Sequence, residues 1–149
     1  MSWLPVIGGV VDAVGSITSG ISANNAAKYN AQISEQQAGA ERESAKLTEY
    51  QKRKEIKQVI GSQQFAYARS GVNPMTGSPL TVMLDSLSNA ELDIAIGNYN
   101  SETQARRYES EAEMSRWKGR QAVYSGYSQA GSTLLKTAGD YYTKYKIKD

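Results

Sequence analysis

Apolar residues change in size and spacing along the chain, and these changes divide it into helical stretches of different character. Residues 3–23 carry one charge, Asp12, and their large apolar positions are Trp3, Leu4, Val6, Ile7, Val10, Val11, Val14, Ile17 and Ile21. Small residues recur at Gly8, Asp12/Ala13, Ser16 and Gly20, a spacing by fours that lets helices approach closely. A helix from Pro5 to Ala23 would be about 28 Å long at ~1.5 Å per residue, roughly the thickness of a bilayer core. Four glycines and Asp12 make it a poor free-standing transmembrane helix. Two expectations follow for this stretch. It is a membrane-active element that enters lipid as an oligomer, or a helix packed on the protein's own second arm or on a neighbouring subunit.

From Asn24 to Arg69 there is no proline, and Gly39 and Gly61 are the only glycines, so the pattern predicts one long helix. Ala26, Ile33, Ala40 and Leu47 recur at sevens, as along a coiled-coil seam. Ile56, Ile60 and Tyr67 join Val59 and Phe65 on a broader apolar face. The charges between Glu41 and Lys57 alternate in sign, and pairs such as Glu49/Arg53 stand four apart. That is the pattern of a solvated helix face.

The helix is expected to stop at Ser70-Gly71-Val72, with Gly71 in the left-handed position after the last turn. Asn73-Pro74-Met75-Thr76-Gly77 reads as a tight connector, Pro74 and Gly77 taking turn roles. Ser78 is the expected N-cap and Pro79 the first residue of a second helix. So short a connector makes the two helices antiparallel neighbours. The second helix opens with Leu80, Val82, Met83, Leu84, Leu87, Leu92, Ile94 and Ile96, expected to pack on Ile56, Val59, Ile60 and Phe65. Beyond Tyr99 it turns polar, and at Gly119 its character changes again. The tail is rich in Tyr, Ser and Gly. Tyr124, Tyr127, Leu134, Leu135, Tyr141, Tyr142 and Tyr145 are its candidate assembly surface, because tyrosine buries a large area yet keeps a polar tip. The predicted fold is all-α: a long antiparallel helical hairpin with a Gly-rich apolar N-terminal helix and a Tyr-rich C-terminal helix, assembled as an oligomer. Its expected divisions are 1–23, 24–118 with the turn at 70–78, and 119–149.

Composition narrows the chemistry. Leu, Ile, Val and Phe number only 26, against 17 Ala and 10 Tyr, which suits helices that bury narrow stripes and need partners. There is no Cys and no His, so thiolate chemistry and the commonest general base and metal ligand are missing. A net charge of +2 is too small to argue for a nucleic-acid binder. Glu109, Glu111 and Glu113 are spaced by twos and splay apart on a helix rather than converge as an acid/base pair. The connector lacks the ending of a phosphate loop. The expectation is therefore no catalytic, cofactor-binding or metal-ligating residues, and a protein that is not an enzyme. Met1 to Val11 contains no Lys or Arg, so no Sec-type signal is read there.

The run Phe65-Ala66-Tyr67-Ala68-Arg69-Ser70-Gly71-Val72-Asn73-Pro74-Met75-Thr76-Gly77-Ser78-Pro79-Leu80-Thr81-Val82-Met83, followed by Ala90-Glu91-Leu92-Asp93, resembles the internal virion (DNA-ejection) proteins of short-tailed phages. The likeness is to the smallest internal core proteins of T7-like phages. In that family a turn carrying the pattern of Ala68, Gly71, Val72, Gly77, Ser78, Pro79 and Val82 joins two long Ala/Gln/Glu-rich helices, behind a Gly-rich apolar opening segment. The resemblance implies a protein stored inside the capsid near the portal and ejected through the tail. It would reassemble in the host envelope as part of an outer-membrane channel for other internal proteins and then DNA. The implied partners are copies of itself, other internal virion proteins, portal or tail proteins and the host outer membrane, with phage DNA only as cargo. Absence of Cys and a thin core suit threading through a narrow tail. A portal- or tail-associated structural adaptor that never meets lipid shares this fold and differs mainly over residues 3–23. A membrane effector of holin type ranks last, because it should carry an unambiguous apolar span.

Overall fold

A computed structural model of the chain describes residues 4–146, with side chains described for 8–140, 142 and 143. The chain forms two helices, α1 (Leu4–Arg69) and α2 (Gly77–Lys146), packed against each other as an antiparallel hairpin. The changes of composition at residues 23 and 119 are not breaks, since α1 and α2 run through them. Contacts group into two compact units, each made of a piece of both helices. Met1–Glu35 with Glu109–Asp149 is the terminal unit, and Gln36–Tyr108 is the turn unit.

In the turn unit the connector closes α1 through backbone hydrogen bonds. The Val72 amide donates to the Tyr67 carbonyl at 3.0 Å and the Gly71 amide to the Ala68 carbonyl at 3.1 Å. This pairing needs a left-handed residue, and Gly71 supplies it with φ +78°. The Asn73 side-chain oxygen accepts from the Met75 amide at 3.0 Å, an Asx turn of the kind that favours Asn before a proline-containing loop. Gly77, with φ +65°, begins α2. Ser78 and Pro79, expected as N-cap and first helical residue, therefore lie inside the first turn, a difference of two residues at a helix end.

Within each unit the two helices touch along a stripe spaced by threes and fours. In the turn unit the stripe buries Ala38, Met83, Ile94 and Ala105, with Ala45, Ile56, Ile60 and Leu80 half-buried around them. The predicted packing of the aliphatic cluster is correct for Ile56 and Ile60. It is wrong for Val59 and Phe65, which are 49% and 68% exposed, and Leu84, Leu87, Leu92 and Ile96 also face outward. A two-helix contact covers about one residue per turn, so a side chain about 100° round from the stripe stays in solvent.

The expected seam also needs correcting. Ala26, Ile33, Ala40 and Leu47 are exposed, and the contact stripe of α1 runs instead through Ala27, Ala31, Ser34, Ala38 and Ala45. Small side chains take the stripe because they let the backbones approach, and the larger ones are turned away from it.

Candidate functional site

In the terminal unit the stripe is almost entirely small: Gly9, Ala13, Ser16, Gly20, Ala27 and Ala31 on α1 meet Ala112, Gly119, Ala122, Gly126, Ala130 and Thr137 on α2. A Cβ placed on Gly126 would lie 2.7 Å from the Ser16 carbonyl oxygen, and one on Gly20 2.7 Å from the Ala122 carbonyl oxygen. A Cβ on Gly119 would come within 2.8 Å of the Ala27 side chain. Gly20 and Gly126 sit where backbone meets backbone, so a Cβ there has no flexible neighbour to displace.

Such a stripe leaves the sides of the unit to other residues. The residues following each stripe position lie about 100° round from it, those preceding it about 100° the other way. In an antiparallel pair the following positions of both helices fall on one side. The contacts fit that geometry. Glu35, which follows Ser34, bonds Arg116, which follows Ser115, at 2.7 Å. On the opposite side, the preceding positions Asp12, Gly15, Ser19, Ser125 and Gln129 line a common groove with Ser16 and Thr133.

The two sides differ in chemistry. The following positions of α1 are Val10, Val14, Ile17 and Ile21, and those of α2 are Val123, Tyr127 and Leu134. Val10, Val14, Ile21, Tyr127 and Leu134 are exposed, and Ile17 and Val123 are half-buried. This apolar side gives way at one end to a shallow groove lined by Asn24, Lys28, Gln32, Glu35, Arg116 and Arg120. The other side is the polar groove, which carries Asp12, the only charge of residues 3–23.

The positions singled out from the sequence are thus distributed over different faces. Of the candidate membrane residues, Val10, Val14, Ile17 and Ile21 share the apolar side, while Val11 edges the polar groove. Trp3 lies outside the described residues, as do the side chains of Leu4, Val6 and Ile7. Of the candidate assembly residues, Tyr127 and Leu134 share the apolar side. Tyr124, Leu135 and Tyr142 point away from α1 and are 73–75% exposed. The side chains of Tyr141 and Tyr145 lie outside the described residues. Joining Val10–Ile21 to Tyr127 and Leu134 into one surface was not foreseen. The signal for it was the Gly/Ala/Ser spacing shared by both arms, which marks the stripe and hence its sides. Among the described residues no helix is long and apolar enough to cross a membrane.

The turn unit offers fixed charges instead. Arg42 donates through Nε to Glu102 Oε2 at 2.9 Å and through Nη2 to Oε1 at 3.1 Å, and Arg106 Nε donates to Oε1 at 3.1 Å. The Arg42 and Arg106 guanidiniums hold the Glu102 carboxyl down at about 2. Arg53 bridges Glu49 at 2.9 Å and Glu91 at 2.6 Å, and the Asn98 amide donates to Glu49 at 2.9 Å. Asn98 and then Arg53 lower the Glu49 carboxyl, and Glu49 and Glu91 raise Arg53. Arg42–Glu102, Arg53–Glu91 and Asn98–Glu49 join the two helices, whereas Glu49–Arg53 and Glu102–Arg106 lie within one helix. Among the described residues no group of three or more His, Cys, Asp or Glu is placed to hold a metal ion. No protein-family model, no curated protein and no solved structure matches this chain.

Proposed function

We propose that this chain is a phage internal virion protein which, released into the host envelope, associates with copies of itself to form part of an outer-membrane channel for DNA ejection. The phage assignment rests on the resemblance of the connector and the start of the second helix, residues 65–93. The observation that carries the assembly role is the distribution of side chains around the hairpin. In the terminal unit small residues fill the stripe between the helices, while Val14, Tyr124, Leu135 and Tyr142 are left more than half exposed. Large apolar side chains turned outward in this number mark surfaces that bind something. The protein works by packing and docking and has no catalytic step in this reading.

A second reading, a portal- or tail-associated structural adaptor, is favoured by one observation: among the described residues no helix is apolar enough to cross a membrane. The two separate when the full chain is mixed with vesicles of outer-membrane-like lipid. Its mass in solution is measured alongside the release of a small dye and of a large dextran. The channel reading expects oligomers and dye release. Oligomers that release nothing from vesicles would overturn it in favour of the adaptor.

A further inference from the structure

We infer that the terminal unit meets lipid side-on, through the face formed by Val10, Val14, Ile17 and Ile21 with Tyr127 and Leu134, and that this face docks on an anionic bilayer surface. The inference deepens the channel reading, on whose membrane step it rests, by naming the face and the lipid chemistry.

Three observations favour lipid as the occupant. The face is built from both helices, so it belongs to the folded hairpin and not to residues 3–23 alone. It continues at one end into Lys28, Arg116 and Arg120. Arg116 is paired with Glu35, and among the described residues neither Lys28 nor Arg120 has an ion-pair partner. Glu113, which follows Ala112 on the same side, lies beyond Arg116 and away from the apolar end. Apolar side chains bordered by unpaired cations suit the boundary between acyl chains and lipid phosphates, where tyrosine also places its hydroxyl. Finally, Asp12, Ser19, Ser125 and Gln129 are gathered on the opposite side, which leaves the polar groove facing water when the apolar side is down.

The test uses the full chain and flotation with vesicles of zwitterionic lipid, with or without an anionic phospholipid. Circular dichroism checks each variant for helix content. Val14→Glu and Tyr127→Glu, both at exposed positions, are expected to weaken vesicle binding about tenfold or more. Ser19→Glu and Gln129→Glu, on the groove side, should leave binding within about twofold of the parent at the same change of charge. Lys28→Gln and Arg120→Gln should each weaken binding to anionic vesicles about fivefold and leave zwitterionic binding unchanged. Equal losses from both sides, or no loss from the apolar side, would overturn the inference even if dye release persists. If the apolar-side variants abolish self-association and leave flotation intact, the face belongs to a second copy and the inference fails. Side-specific binding without any dye release would instead remove the channel reading and leave the docking face standing.

Discussion

In the terminal unit the helices meet through Gly9, Ala13, Gly20, Ala31, Gly119, Gly126 and Ala130, whereas in the turn unit they meet through Ile56, Ile60, Met83 and Ile94 and are tied by Arg42–Glu102 and Arg53–Glu91. The terminal unit gains cohesion from close backbone approach and many small dispersion contacts. The turn unit gains it from larger apolar side chains and from charges that specify which residue faces which. The contrast extends to the surface. A stripe of small residues leaves the large apolar side chains of the terminal unit at its sides, available for docking. In the turn unit Ile56, Ile60, Met83 and Ile94 are drawn into the stripe, although Val59, Phe65, Leu84, Leu92 and Ile96 stay exposed.

The largest effect expected from this contrast is at Gly126. Replacing it by Val forces a side chain toward the Ser16 carbonyl, where a Cβ alone would sit at 2.7 Å. Backbone cannot swing away as a flexible side chain can, so the helices must separate. Gly126→Val should lower stability by about 2 kcal/mol, within the usual range for overpacking. Urea unfolding followed by circular dichroism measures this, and an unchanged midpoint would mean that the close approach at Gly126 is not what holds the unit together.

A smaller effect of opposite sign is expected at Gly97 in the turn unit, where an added Cβ meets nothing within 4 Å. Gly97→Ala removes the helix penalty of glycine without a clash and should raise stability by about 0.5–1 kcal/mol. The same change at Gly20 should not stabilise, because its Cβ would meet the Ala122 carbonyl oxygen. If the two alanine variants shifted the midpoint in the same direction, the distinction between the units would fail.

Those glycines also show where sequence reading succeeded and where it fell short. Gly71 was legible because its demand is local: the end of a helix, a left-handed residue and a following Asn-Pro fit only a few backbone paths. The hairpin followed from it. The contact stripe was missed because large residues repeating at sevens, such as Ile33 and Leu47, suggest a seam by size. The real stripe of Ala27, Ala31, Ser34 and Ala38 looks inert in one helix alone. Its meaning appears only when Gly119, Ala122, Gly126 and Ala130 in the other arm show the same three-four spacing. Arg42–Glu102 was illegible for a related reason. The pair depends on the register between helices 60 residues apart in sequence, and neither helix encodes that register alone. Glu49/Arg53, four apart on one helix, needed no register and was read directly.

The smallest expected effect sharpens the charge half of the contrast. Glu102 has a carboxyl held at about 2 by Arg42 and Arg106, against an ordinary value of 4.5. Above pH 4.5 it is ionised in both folded and unfolded chains, and its contribution to stability is fully present. As the pH falls from 4.5 toward 2 the unfolded chain takes up the proton first, so that contribution is progressively lost. Glu102→Gln removes this titration. The parent's thermal midpoint should therefore fall more between about pH 6 and about pH 3 than that of the variant. Because the pair is exposed, the difference should be small and should shrink further in high salt. Arg42→Met should reduce the same acid sensitivity, since it removes the larger cause of the shift. Parallel pH profiles for parent and Glu102→Gln would mean that the Arg42–Glu102–Arg106 cluster does not persist in solution. The turn unit would then rely on its apolar stripe and on the remaining Arg53–Glu91 and Asn98–Glu49 contacts.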